Sequence, residues 1–322
     1  MKLELERRTL ALARPLQTAF GEITERELVL VALTGSDGAT GYGEAAPLGD
    51  YDGPAGAQVY EALERYARVL AEPGVEKLGG AQLVDACRRE RDLPAAFAAI
   101  DLALWDRAGR RSGQPVAALL TDAPATQVQV NATVSALDRS GVAEQAGVAA
   151  RAALGPEVAL RLDANGAWSV AEAVRTIEAL APAGLELVEE PVHGLRQMRE
   201  VRDRVTVRVA IDESAGEPGA LGAGVADAVC LKISRCGGIA GLLVAASLVR
   251  ASGAEVYLAS TLDGPLGVAA ALHAAAALHS RGPLPPCGLA TLGLFADIAD
   301  QLPVRSGRIA LPRTGGLGVD PL

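Results

Sequence analysis

The chain has 322 residues, a formal net charge of −9 and only 3% aromatic residues. That length suffices for one α/β barrel with an accessory domain, and the acidic balance excludes the basic surface that a nucleic-acid binder needs. The apolar stretch from Val268 to Leu278 is too short to span a bilayer and the N-terminus has no signal-peptide core, so a soluble, cytoplasmic protein without a membrane partner is expected.

Residues 1–46 read as antiparallel strands. The run Leu28-Val29-Leu30-Val31-Ala32-Leu33 ends at Gly35-Ser36-Asp37-Gly38, a hairpin signal, and Gly41-Tyr42-Gly43-Glu44-Ala45 resumes the sheet. Helices are expected over 55–71, 81–90 and 94–111. Strands followed by a run of helices predict a small α+β domain. From Gln127 strands and helices alternate. Val128–Val134 reads as a strand, 138–154 as a helix, Ala159–Asp163 as a strand, and Ser169 caps a helix over 170–181. Leu185–Glu190, Val207–Asp212, Ala228–Ile233 and Glu255–Ser260 follow as strands, and Cys287-Gly288-Leu289 closes the set. The tail around Arg305–Leu311 reads as strand and turn returning to the first domain. Cys87, Cys230, Cys236 and Cys287 form no CxxC pair and lie in or beside apolar segments, as reduced buried thiols do.

Three strands end in carboxylates: Asp163 in Leu160-Arg161-Leu162-Asp163, Glu190 in Leu187-Val188-Glu189-Glu190, and Asp212 in Val209-Ala210-Ile211-Asp212. Their spacings, about 27 and 22 residues, match one strand-plus-helix unit each. Such positions fall at the C-terminal mouth of a β/α barrel. Carboxylates converging there repel one another unless a hard cation lies between them, which points to Mg²⁺. Alternation places Arg161, Asp163 and Asn165 in one space if the strand runs that far. Lys232, one of three lysines, sits between residues that want burial, where a lysine is seldom kept without a partner or a function. Of the histidines, His193 follows Glu190 closely enough to reach the site but reads as a loop residue.

The segments Arg161-Leu162-Asp163-Ala164-Asn165-Gly166-Ala167-Trp168, Val188-Glu189-Glu190-Pro191, Ala210-Ile211-Asp212-Glu213-Ser214 and Leu231-Lys232-Ile233-Ser234-Arg235-Cys236-Gly237-Gly238 resemble the muconate-lactonizing subgroup of the enolase superfamily. The resemblance covers nearly the whole chain. It implies Asp163, Glu190 and Asp212 as Mg²⁺ ligands and Lys232 as the catalytic lysine. Asn165, Arg161 and Glu213 would be supporting groups, and Ser260, Asp263, Gly288 and Thr18 further substrate-side candidates. It also implies a small-molecule carboxylate substrate, proton abstraction next to the carboxylate and an enediolate intermediate. Arg14–Gly21, Gly43–Leu48 and Cys287–Leu292 look most like o-succinylbenzoate synthases, which act in menaquinone synthesis. Dipeptide epimerases and muconate cycloisomerases of the same subgroup are the alternatives. Capping-domain loops around Thr18–Gly21 and Leu48–Tyr51 would set specificity.

The chain departs from the subgroup in one respect. Family members carry Lys-x-Lys on the second barrel strand, yet no lysine stands between Lys77 and Lys232. About 20–25 residues, a strand with its turns, are short near Gly147 by the usual repeat length. Arg161 cannot serve as the base, because guanidinium does not deprotonate in proteins. Epimerisation needs two acid/base groups, whereas a syn dehydration can use one, so Lys232 alone favours a lyase. A non-catalytic Mg²⁺-binding relic, or a sequence that has lost a segment, is the opposing reading. The expected architecture is a modified (β/α) barrel over 113–295 with its second strand missing, and an α+β capping domain over 1–112 completed by 296–322. A homo-oligomer is compatible with this reading.

Overall fold

A computed structural model describes residues 1–18, 21–49, 54–132, 155, 157–298 and 300–321. The helix expected over 138–154, the end of the Val128–Val134 strand, the region near Gly147 and parts of the Thr18–Gly21 and Leu48–Tyr51 loops lie outside the described residues. The chain divides into two compact units, one of Met1–Ala132, Lys232–Ala245 and Leu258–Leu322, the other of Thr133–Leu231 and Ala246–Tyr257. Residues 113–295 are thus shared between the two units. The class is α/β, with an antiparallel capping sheet and a parallel half-barrel sheet.

In the first unit, β1 (Lys2–Thr18), β2 (Gly21–Thr34) and β3 (Thr40–Ala45) form an antiparallel sheet in that order. β-Branched and large apolar residues in β2 favour the pleated conformation. Val29, Val31 and Leu33 pack with Ala45 against α1 (Gly56–Leu70), α2 (Gly80–Glu90) and α3 (Pro94–Ser112). α1 buries Val59, Ala62, Leu63, Tyr66 and Leu70, the stripe of an amphipathic helix. Pro94 opens α3, where its missing N–H costs nothing, and Gly113 ends it in the left-handed region. A side chain at Gly43 would run into the Ala99 carbonyl, so glycine there lets β3 approach α3 closely.

The same unit contains α4 (Val116–Leu120), β4 (Gln127–Gln129) and a tail hairpin of β10 (Val304–Arg305) and β11 (Arg308–Ala310), and β11 pairs antiparallel with β4. Cys287 bridges Val130 and Gly288 bridges Ala259, both in parallel sense, where the last strand was expected. α8 (Pro265–His279) is buried at every residue from Pro265 to Leu278, as a helix apolar all round must be. No described helix is long and apolar enough to cross a membrane. Within α8, His273 Nδ1 accepts the Ala117 N–H at 3.1 Å, so Nε2 carries the proton and donates to the Leu317 carbonyl at 3.1 Å. Burial lowers its pKa to about 4. His273 is a structural histidine.

The second unit is built on a parallel sheet of β5 (Leu160–Asp163), β6 (Leu185–Glu189), β7 (Val209–Ile211), β8 (Ala228–Leu231) and β9 (Glu255–Leu258), neighbours in sequence order. The last residue of β9 belongs to the first unit. α5 (Val170–Leu180) follows β5, capped as expected by Ser169, whose Oγ accepts the Glu172 N–H. α6 (Leu195–Arg202) follows β6, and α7 (Ile239–Ala251) connects β8 to β9 across both units. The outer strands of a flat five-stranded sheet would stand about 19 Å apart. Here the Arg161 guanidinium on β5 lies 5.1 Å from the centre of the Tyr257 ring on β9. The sheet is therefore rolled, as in a barrel wall.

Candidate metal centre

Register decides which carboxylates meet. Asp163 pairs with Glu189, Glu189 with Ala210, and Ala210 with Ala228. Paired residues of parallel strands share a face, and every second residue returns to it. Asp163, Glu189, Asp212 (two beyond Ala210) and Cys230 (two beyond Ala228) therefore share one face near the C-terminal strand ends. Ligand atoms of Glu189, Asp212 and Cys230 lie within 4.8 Å of one another. Asp212 and Cys230 are buried.

Glu190 faces elsewhere, which corrects its expected grouping with Asp163 and Asp212. The alternation that turns Glu189 toward Asp212 turns its neighbour away. Glu190 is wholly buried and its oxygens are committed. Oε2 accepts the Asp212 N–H at 2.8 Å, and Oε1 accepts the Ser214 N–H at 3.1 Å together with the Ser214 hydroxyl. His193 Nδ1 lies 3.1 Å from the same Oε1. Burial pushes the Glu190 carboxyl up, while the bonds from Ser214, Asp212 and His193 pull it back. Its φ of +37° stops β6, a conformation that costs a non-glycine residue about 1 kcal/mol. Glu190 shapes the 212–214 turn from which Asp212 projects.

The remaining candidates fall as follows. Asp163 is exposed, stands beside Glu189 in register outside the close group, and its Oδ1 accepts the Asn165 N–H at 2.9 Å. That local bond accompanies a left-handed Asn165, φ +46°, so Asn165 leaves the strand alternation expected for it. Arg161 makes a two-pronged ion pair with Glu186, at 2.9 and 3.1 Å, so it is a wall residue. Both Glu213 carboxylate oxygens are buried without a hydrogen bond, and Glu213 forms a second close group with Glu190 and His193. The His193 ring lies over Gly166, where any side chain would strike it.

In the first unit Lys232 follows β8 and is 5% exposed. Its carbonyl accepts the Cys236 N–H at 3.0 Å, which turns the chain and stops the strand short of the expected Ile233. Ser260, Asp263 and Gly288 come together at the end of β9. The Ser260 hydroxyl accepts the Asp263 N–H at 2.9 Å, and the Gly288 carbonyl accepts the Ser260 N–H at 3.0 Å. Asp263 is buried, and its Oδ2 accepts the Thr261 N–H at 3.1 Å. Thr18 closes the β1–β2 hairpin, its hydroxyl donating to the Gly21 carbonyl at 2.8 Å.

Sequence reasoning missed three residues. Glu189 was passed over for its neighbour, and Cys230 was read only as a buried thiol. Tyr257 carried no sequence signal beyond its place in an apolar strand. It is 3% exposed, and its hydroxyl faces the Glu189 carboxylate. Burial, then the charges of Glu189 and Cys230, push that hydroxyl well above the usual tyrosine range. Two clustered carboxylates with a third beside them in register fit a divalent cation.

Residues 3–121 match the mandelate racemase/muconate lactonizing enzyme N-terminal domain, and residues 121–322 the enolase C-terminal domain-like family. Muconate cycloisomerase 1 of Rhodococcus opacus is 31% identical, over 96% of this chain and 92% of its own. That alignment spans 354 positions, more than the 322 residues present here, so the relative has residues without a counterpart in this chain. An o-succinylbenzoate synthase of Thermobifida fusca is 34% identical, over 97% of this chain and 92% of its own. Among solved structures, a dipeptide epimerase from Enterococcus faecalis, complexed with Mg and the dipeptide L-Leu-L-Tyr, is 25% identical with a TM-score of 0.87, over 99% of this chain and 98% of the other. With both of its halves matched and two enzymes similar along nearly its whole length, the chain belongs to the enolase superfamily, in the mandelate racemase/muconate lactonizing enzyme family.

Proposed function

We propose that this chain is a metal-dependent carbon–oxygen lyase of the o-succinylbenzoate synthase type, acting in the cytoplasm in menaquinone synthesis. Its substrate would be a cyclohexadiene carboxylate that loses its α-proton and then a hydroxyl group. The observation that carries this reading is the likeness to an o-succinylbenzoate synthase along 97% of the chain. The single lysine outside the N-terminal region adds to it, since one acid/base group suffices for a syn elimination. Glu189 and Asp212, with Asp163 beside Glu189, would hold Mg²⁺. The chemistry a bound cation supplies is neutralisation of charge building on the substrate carboxylate.

Lys232 would take the α-proton onto Nζ and return it to the departing hydroxyl on the same face, so that water leaves and the lysine is restored. Burial of Lys232 excludes bulk water from that exchange. Glu190 would keep Asp212 in place through the 212–214 turn, and Ser260, Asp263 and Gly288 are further candidates for substrate binding. With Mg²⁺ and the cyclohexadiene carboxylate, purified protein should yield o-succinylbenzoate. Lys232→Ala should lower kcat by roughly a hundredfold or more, the scale of a lost general acid/base. No turnover with Mg²⁺ or Mn²⁺ would favour a non-catalytic metal-binding relic. Deuterium uptake with inversion at the α-carbon of Ala-Glu dipeptides would favour an epimerase. The likeness to muconate cycloisomerase supports a second reading, tested by turnover of cis,cis-muconate.

A further inference from the structure

One buried arginine in the first unit holds two loops at once. Arg26 on β2 is 3% exposed, and its guanidinium donates to four backbone carbonyls. Nη1 donates to Pro47 at 2.7 Å and Nη2 to Ala46 at 2.8 Å, on the segment that leaves β3. Nη2 also donates to Thr261 at 3.2 Å, and Nε to Leu262 at 3.4 Å, in the turn between β9 and α8. A guanidinium kept from water is costly unless its donors are filled, and carbonyls of the two loops fill them. The placement follows from the sheet. Arg26, Leu28 and Leu30 alternate onto one buried face of β2, and Glu44, paired with Leu30, lies on the same face of β3. Glu44 Oε2 accepts the Leu266 N–H, so the capping sheet grips the turn at both ends, through a cation on its carbonyls and a carboxyl on its amide. Between the two grips Leu262 has φ +56°, where its Cβ crowds the following carbonyl. Such a conformation persists only where the surroundings enforce it, and it gathers at functional sites.

We propose that Arg26 is a positioning residue for substrate. It fixes the 260–263 turn against the 46–47 segment, so that Ser260 and Asp263 are presented in one geometry to the part of the carboxylate substrate remote from the metal. The inference rests on the reading of Ser260, Asp263 and Gly288 as substrate-binding groups and adds the residue that holds them. Arg26 acts through the turn: its bonds to Thr261 and Leu262 lie between Ser260 and Asp263, whose own hydroxyl-to-amide bond closes the same turn.

Arg26→Lys tests this, because an ammonium keeps the charge but carries its donors on one nitrogen and cannot span four carbonyls on two loops. Hydrogen exchange in the ligand-free variant should rise by about tenfold or more in both 46–48 and 260–266, the scale of one lost bond to a charged group, with β5 to β8 unchanged. With the cyclohexadiene carboxylate, KM should rise by about tenfold and kcat change far less, as when ground-state binding is lost. Mg²⁺ affinity should match wild type. A fall in kcat at unchanged KM would overturn the proposal. So would Mg²⁺ affinity lost in parallel, or exchange raised evenly through the chain, the marks of general destabilisation. If wild type instead turns over cis,cis-muconate or an Ala-Glu dipeptide, the lyase reading fails and the same split of KM from kcat is read with that substrate. If it turns over none of them, ligand-free exchange decides: both segments loosened together support the role of Arg26, and one alone or neither overturns it. Should Arg26→Lys not fold, o-succinylbenzoate added to wild type should slow exchange in both segments, and slowing in 260–266 alone would overturn the link.

Discussion

Two buried glutamates, one in each unit, hold loops by opposite means. In the second unit Glu190 accepts from Asp212, from both donors of Ser214 and from His193. In the first unit Glu44 sits at the start of α8, where its Oε2 accepts the Leu266 N–H at 3.1 Å and its Oε1 has no hydrogen-bond partner. Gly264 and Gly267 leave room for that carboxyl, and at Gly267 Asp263 crowds the same space. Burial, then the charge of Asp263, push Glu44 up to about 8, against the smaller pull of backbone donors at 264–267. A buried carboxylate surrounded by donors stays an anchor; one short of donors becomes a proton store.

The largest effect expected from breaking this pair is at Glu190. Glu190→Ala leaves the Asp212 and Ser214 donors buried without an acceptor and should cost about 3 kcal/mol, read as a lowered denaturation midpoint in urea. Glu190→Gln should recover most of that loss, because its carbonyl oxygen can still accept. Glu44 should respond to pH instead. Its folded pKa is raised above the unfolded value, so its stabilising proton is fully bound in acid and lost as pH rises through about 8. Stability should therefore fall across the window from the ordinary value of 4.5 to about 8, by up to about 1.4 kcal/mol per pH unit. Glu44→Gln, permanently neutral, should flatten that slope in urea titrations run at several pH values; an unchanged slope would place the proton elsewhere.

The smallest effect is expected at a third buried carboxylate. Asp101 on α3 accepts the Ile239 N–H at 2.6 Å and the Ala240 N–H at 3.3 Å, capping the start of α7. Burial raises its pKa to about 6. Asp101→Asn keeps an acceptor and should stay within about 0.5 kcal/mol of wild type, whereas Asp101→Ala should lose about 1 kcal/mol, as a missing N-cap does. Thermal melts of the two variants side by side measure the difference.

The same residues show how far the sequence could be read. That acidic residues end successive strands was legible, because apolar runs, turn residues and spacing are local signals. Which of Glu189 and Glu190 joins Asp212 was not, because a one-residue choice flips the face and register between strands is a tertiary property. The burial of Cys230 was legible from its apolar neighbours, but its direction required the Ala210–Ala228 pairing. Strand ends were overrun where a side chain captures the backbone, as Glu190 does at Asp212. Asn165 was misplaced for a related reason: its left-handed turn cancels the alternation that put it beside Asp163.

The sealed helix α8 carries a consequence of another kind. All fourteen residues from Pro265 to Leu278 are buried, and most are alanine, glycine or leucine, so the helix has no outward side on which change is cheap. Enlarging a side chain there meets neighbours in every direction, at typical costs of 1–3 kcal/mol. Substitutions should thus cost more in this helix, whose first-turn Leu266 N–H Glu44 accepts, than in exposed loops. A sealed helix lets reactions change around it while the frame stays the same.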